Sequence, residues 1–213
     1  MTNLYNKYIL PKVTNSLCSS RPTMKQREKV IPLANGNVLE VGIGSGLNLP
    51  YYNQDVKHLT AIDPSVEIWN KNSVDTDGLL FDFEFVKAYV EDIPADNNCF
   101  DTIVFTYTLC SIPDAVKAFA EIRRVLKPNG QIIFCEHGKA PDKSVQKWQN
   151  YINPIWKKLG GGCTLNRDIP LIIEDSGFMI NKMETMYIPG WKPASFNYWG
   201  TAKIQQYACQ QCV

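Results

Sequence analysis

Histidine is nearly absent. His58 and His137 are the only two in 213 residues, too few for the His-clustered centres of catalytic zinc or non-haem iron. Neither sign of charge prevails: 22 Lys and Arg stand against 21 Asp and Glu, a formal net charge of +1. No chain-wide field exists to hold a polyanion, so nucleic acid is not an expected partner. Nowhere does the chain approach the roughly 18 uninterrupted apolar residues of a membrane span. Its start, "MTNLYNKYILPKVTN", lacks the basic beginning, apolar middle and small-residue cleavage site of a secretory leader. A soluble, cytoplasmic protein is expected, without internal repeats or low-complexity tracts.

Disulfides are not expected either. Cys18, Cys99, Cys110, Cys135, Cys163, Cys209 and Cys212 are odd in number and scattered, unlike the paired framework of a small secreted domain. The one metal-like spacing is Cys209-x-x-Cys212 at the C-terminus. A structural zinc asks for four ligands, so no metal is assigned.

What is present is an alternation of elements. With 45% hydrophobic and 20% charged residues, composition and length suit a single domain, 1–213, with one core. Residues 1–34 read as lead-in or lid helices, with Leu4, Tyr8, Ile9, Val13 and Leu17 at helical spacing. "NVLEVG", "KHLTAID", "FEFVKAY", "CFDTIVFTY" and "GQIIFCEH" read as five buried strands. Helices are expected after Gly46, over "PSVEIWNKN", and over "DAVKAFAEIRRVLK", with Val116, Phe119, Ile122, Val125 and Leu126 on one face and "PNG" closing it. Residues 140–168 form a helical insertion near the substrate site, and "RDIPLIIEDSGF" a helix stopped at Gly177. "MINKMETMYIP" and "SFNYWGTAKIQQY" close the chain as an antiparallel hairpin. The fold class is α/β: a Rossmann-like, doubly wound, mostly parallel seven-stranded sheet with a C-terminal antiparallel hairpin.

The chemistry centres on "VLEVGIGSGLNLPYY". Ligands of open α/β sheets bind at the carboxyl ends of the strands, where Gly42, Gly44 and Gly46 fall. A phosphate loop requires Gly-Lys-Ser/Thr, but Leu47 follows Gly46 and no lysine appears before Lys57. A dinucleotide fingerprint requires the third glycine one position later. Glu40, just before the loop, would repel a pyrophosphate and attract an ammonium or sulfonium cation. Asp63, ending the second strand, is placed to accept both hydroxyls of a ribose. Together they describe an adenosine with a cationic amino-acid tail, S-adenosylmethionine (SAM). A ligand-free turn, with Asp63 as a helix N-cap before Ser65, explains the same residues more modestly.

Glu-x-Gly-x-Gly-x-Gly, the acidic Asp63, "AYVEDIPADNNCFD" and "EIRRVLKPNGQ", in this order, resemble the class I SAM-dependent methyltransferases over roughly residues 35–207. The resemblance implies SAM as cofactor and S-adenosylhomocysteine (SAH) as product. It further implies Val90 and Glu91 beside the adenine and Thr106 beside the methionine part. Tyr89 stands where many relatives carry an acidic residue, so stacking would replace a side-chain acceptor there. "TLCS", the Glu-His pair, "NPIWKKLGGGCTLNRD" and "SGF" are similar to the small membrane-associated thiol methyltransferases of animals and their bacterial relatives. That branch implies sulfide or a small alkyl thiol as acceptor. Phospholipid or other small-molecule N-methylation is the alternative, and a noncatalytic SAM-binding module a further one.

A thiolate meeting a sulfonium annihilates charge, so an apolar pocket favours it. Trp148, Tyr151, Trp156, Trp191, Phe196, Tyr198 and Trp199 are candidates to build one, although most aromatics are simply core. His137 is the candidate base or orienting donor. Cys110 lines the site or fills a small apolar space. Cys163 and Arg167 belong to a glycine-hinged lid, or precede a helix capped by Asn166 or Asp168. Lys7 and Lys12 permit weak peripheral contact with an anionic lipid surface.

Overall fold

The computed structural model describes residues 4–72 and 74–205; Cys209, Cys212 and the side chain of Lys7 lie outside this description. Seven strands form one sheet: β1 (Gly36–Val41), β2 (Val56–Ile62), β3 (Asp82–Val86), β4 (Phe100–Thr106), β5 (Leu126–His137), β6 (Phe178–Tyr187) and β7 (Phe196–Ile204). Their order is β3-β2-β1-β4-β5-β7-β6. The first five pair in parallel, and β7 runs antiparallel between β5 and β6. Val38, Leu39 and Val41 on β1 and Ile103, Val104 and Phe105 on β4 are all buried. Such largely apolar, buried strands belong to a parallel sheet covered on both faces. Separate hydrophobic cores lie on its two sides. The strand order reverses between β1 and β4, which opens a crevice at their carboxyl ends.

Six α-helices accompany the sheet: α1 (Leu10–Cys18), α2 (Arg21–Val30), α3 (Val66–Trp69), α4 (Ala115–Val125), α5 (Lys143–Leu159) and α6 (Ile169–Asp175). Asp114 starts α4 by accepting from Lys117 N at 3.0 Å, and Asp168 starts α6 by accepting from Leu171 N at 3.4 Å. Both are ordinary N-caps that satisfy orphan amides of the first turn.

Several expectations need correction. No α-helix follows Gly46; a single 3₁₀ turn, Leu49–Tyr51, stands there. Asn48 and Tyr52 both turn inward onto Glu40. The segment after Asp63 is helical for four residues only. On α4 the buried face is Ala118, Phe119, Ile122 and Val125, whereas Val116 is 82% exposed. Leu126 begins β5 instead of ending α4, and a register slip between Phe100 and Thr102 absorbs the residues before Gln131. The apolar positions of the N-terminal segment keep their helical spacing, but Leu4, Tyr8, Ile9, Val13 and Leu17 face outward. Trp148 and Tyr151, expected in an apolar pocket, are also exposed on α5. Among the described residues no helix is long and apolar enough to cross a membrane.

Candidate cofactor and acceptor site

A cavity of about 870 Å³ opens at the carboxyl ends of β1, β2 and β4. Its wall contains Gly42, Gly44, Asp63, Tyr89, Val90, Glu91 and Thr106, seven of the positions singled out in the sequence. Glu40, Gly46, Cys110 and His137 are not in the wall.

The three glycines have different reasons. Gly42 (φ +73°) is small because of its neighbour, since a Cβ there would stand 2.5 Å from Cγ2 and Oγ1 of Thr108. Gly44 (φ +58°) has more room, since a Cβ there would meet only Ile68, at an ordinary 3.7 Å. The expected close approach of a ligand to bare backbone therefore applies to Gly44. Gly44 N donates to Asp63 Oδ2 at 3.0 Å and Ser65 N to Oδ1 at 2.8 Å, which fixes the carboxylate in the cavity wall. Burial raises the Asp63 pKa, and the two amides oppose the shift.

Glu40 does not face the cavity, contrary to its expected role as a direct attraction for a cationic ligand. It is buried behind the loop, accepting from Asn48 Nδ2 at 2.9 Å and Tyr52 OH at 2.7 Å. Arg27 of α2 completes this hub: Nη1 donates to Asn48 Oδ1 at 2.7 Å and Thr106 Oγ1 at 2.6 Å, while Asn48 Nδ2 also reaches Thr106 Oγ1 at 2.9 Å. The guanidinium lies over the Tyr107 ring, 5.1 Å from its centroid. Arg27 lines the cavity, and its Nε–H is enclosed without a partner among the described residues. Nothing in the sequence around Arg27 marks it, because it lies on a lead-in helix far from the loop. Tyr107 itself holds φ at +55°, a left-handed conformation that costs a non-glycine residue on the order of 1 kcal/mol.

Burial pushes Glu40 up to about 7, against the hydrogen bonds of Tyr52 and Asn48 and the charge of Arg27. A carboxyl raised from its ordinary 4.5 binds more protons folded than unfolded between pH about 4.5 and 7. Its contribution to stability is present below that window and is lost as pH rises through it. The stability of Glu40→Gln relative to the parent should therefore rise across this window, by on the order of 1–3 kcal/mol, and then level. Denaturant titrations at several pH values check this; a difference independent of pH would contradict it.

A sulfur-rich cluster adjoins the cavity. Cys110 follows β4, His137 ends β5 and Cys163 follows α5. His137 Nε2 lies 3.2 Å from Cys163 Sγ, and Trp156 Nε1 donates to the same sulfur at 3.3 Å. The Cys110 thiol, Trp156 and His137 lower the Cys163 pKa to about 4, while the Cys163 charge raises His137. His137 is thus held against the Cys163 sulfur. Glu136, beside it, accepts from Thr108 N at 2.7 Å and Leu109 N at 2.9 Å. Ser111, Gly160, Gly161 and Cys18 separate this cluster from the cavity as part of its wall. Arg167 Nη1 donates to the carbonyls of Leu109 at 2.6 Å and Ile112 at 2.8 Å, tying the 160–168 segment to the β4 exit. From the other side α1 closes the cavity with Leu10, Thr14, Asn15 and Cys18, and Ser45 Oγ donates to Asn15 Oδ1 at 2.5 Å.

These features fit an adenosyl-methionine group: Asp63 in the wall at the end of β2, the glycine loop beside it, and Arg27 in the wall of a largely apolar cavity. The fold and site are those of a SAM-dependent methyltransferase of class I. The same fold recurs in the N-methyltransferase NodS of Bradyrhizobium japonicum WM9 solved with SAH, with a TM-score of 0.66, 14% identity and coverage of 90% of this chain and 91% of that one. A SAM-dependent methyltransferase from Aquifex aeolicus gives a TM-score of 0.60 at 21% identity, covering 90% and 97%.

Residues 39–134 match the methyltransferase domain family. The human thiol S-methyltransferase TMT1B is 32% identical over 203 residues, 91% of this chain and 82% of the human protein. The rat TMT1B is 33% identical over 167 residues, 76% of this chain and 65% of the rat protein. The chain belongs to this SAM-dependent methyltransferase family.

Proposed function

We propose that the acceptor is a small thiol or sulfide. The observation that carries this reading is the sulfur-rich cluster adjoining the cavity, where Trp156 Nε1 donates to Cys163 Sγ at 3.3 Å and His137 Nε2 lies 3.2 Å from the same sulfur. The thiol S-methyltransferases among the relatives support it. Bound SAM supplies a methyl group on a sulfonium sulfur. Asp63 is assigned to the ribose hydroxyls, Arg27 Nε–H to the cofactor carboxylate, and Val90, Glu91 and Tyr89 to the adenine border. Gly42 and Gly44 carry the backbone past the amino-acid tail. Glu40 acts at one remove, holding Asn48 and Tyr52 so that Arg27 and Thr106 keep their places.

An alkyl thiol at neutral pH is only a few per cent thiolate. His137 is assigned to orient and polarise the acceptor through Cys163, and Cys110 to support the same sulfur. Holding acceptor and methyl in line, with water excluded by α1, supplies several kcal/mol of the barrier without a covalent intermediate.

The test offers SAM with a labelled methyl group to the protein together with sulfide, small alkyl thiols, amines and ethanolamine-phospholipid vesicles in separate reactions. Labelled thioether or methanethiol is the expected product. Label confined to amines or lipid contradicts the thiol assignment, and no transfer to any acceptor contradicts catalysis.

A further inference from the structure

We propose that Cys110, His137 and Cys163 bind a soft divalent ion of the zinc class, leaving a fourth position for the sulfur of the acceptor. The role assigned to the ion rests on the thiol reading above; the site itself does not.

The three ligand atoms lie within 4.8 Å of one another. A tetrahedral zinc with bonds near 2.0–2.3 Å wants such atoms about 3.5–3.8 Å apart, so the His137 Nε2–Cys163 Sγ separation of 3.2 Å would widen slightly on binding. Two sulfurs and one imidazole are the donor set that prefers zinc to magnesium or calcium. Three protein ligands with one open position is also the pattern of a catalytic centre, not a structural one.

The backbone holds the set together. Thr164 N and Oγ1 both donate to Cys110 O at 3.0 Å, fastening the Cys163 loop to the Cys110 loop. Leu165 N donates to Asn153 Oδ1 at 2.8 Å from the α5 side. No partner among the described residues fixes His137 Nδ1, which is enclosed. Coordination through Nε2 would place the ring proton on Nδ1. The sequence expectation of no metal considered only Cys209 and Cys212, because nothing in the spacing of 110, 137 and 163 announces their meeting.

At such a centre the ligand charges balance: a dication, two thiolates and a neutral imidazole sum to zero. An acceptor thiol that coordinates releases its proton to solvent and remains as a thiolate. Its lone pair forms the new sulfur–carbon bond while the sulfonium–methyl bond breaks, leaving that electron pair on the sulfur of SAH. The thioether produced is neutral and a poorer ligand, so it departs.

The test uses the full chain, stripped with chelator under reducing conditions and titrated with cobalt(II) as the spectroscopic probe. One cobalt per chain with thiolate-to-metal charge-transfer bands is expected. Cys163→Ser, Cys110→Ser and His137→Ala should each weaken binding by at least about tenfold, with folding checked by circular dichroism. Cys99→Ser serves as a control that binds as the parent does. Added alkyl thiol should shift the visible bands in the presence of SAH.

Absence of charge-transfer bands, or binding by the three variants as tight as the parent's, would overturn the site. Bands altered by Cys18→Ser but not by thiol would show a closed centre and overturn its role. Metal-free protein that methylates thiols as fast as the zinc form would also overturn the role while the thiol reading stands. A zinc form that methylates only amines would leave the site standing and remove the thiol reading.

Discussion

Alanine in place of His137 is expected to reduce methylation of a small alkyl thiol at pH 7 by about 10²–10⁴-fold, the usual range for losing a positioned proton-handling group. Cofactor affinity should be unchanged, because His137 lies outside the wall of the cofactor cavity. The discriminating readout is pH. An acceptor thiol with a cysteine-like pKa near 8.5 is mostly thiolate above pH about 9, and a group that acts on its proton is then no longer needed. The deficit of His137→Ala should shrink as pH rises through this range, and it should be smaller for acceptors of lower pKa. Equal loss at pH 7 and at pH 10 would make His137 a packing residue. The pairing of Nε2 with Cys163 predicts similar behaviour for Cys163→Ala, since each side chain holds the other in place.

Gln149→Leu is expected to cost on the order of 3–5 kcal/mol of stability, the largest effect of any single polar side chain away from the cavity. Gln149 is fully buried on α5. Its Oε1 accepts from Ala140 N at 3.0 Å, and its Nε2 donates to Gly138 O, Leu165 O and Pro193 O at 2.9 Å each. One amide thus joins the exit of β5, the loop after Cys163 and the turn before β7. A leucine of similar volume leaves four backbone groups enclosed and unpaired, and each such group carries its own desolvation penalty. For a chain of this size the melting temperature should fall by roughly 10 °C. A loss of only a degree or two in a thermal melt would show that water replaces the amide at little cost.

The sheet was legible because its evidence is local. Five apolar runs bounded by turns, with helical patterns between them, dictate a parallel sheet, and "MINKMETMYIP" followed by "SFNYWGTAKI" dictates the hairpin. Asp63, Gly44 and Tyr89 were legible for the same reason, since each sits at a strand end that the pattern itself locates. Glu40 misled because sequence order shows that a carboxylate precedes the loop but not which side of the sheet it enters. Its neighbours Asn48 and Tyr52 and the distant Arg27 claim it from below. Val116 misled because its i, i+3 spacing to Phe119 suggests a shared face, whereas the buried face is centred on Ala118, Ile122 and Val125. Cys163 was visible as a glycine-flanked cysteine, yet its partners His137, Cys110 and Trp156 come from three other segments. Long-range convergence of that kind leaves no periodic trace in a single chain.

The measurement that bears most directly on the cofactor cavity is calorimetric titration of the full chain with SAH, comparing the parent with Asp63→Ala and Asp63→Asn. Losing hydrogen bonds to a charged group costs about 1.5–3 kcal/mol, so Asp63→Ala should bind roughly 10- to 150-fold more weakly, with Asp63→Asn in between and folding intact by circular dichroism. Equal affinity in all three proteins would remove Asp63 from the binding wall and contradict the placement of the nucleoside at the end of β2.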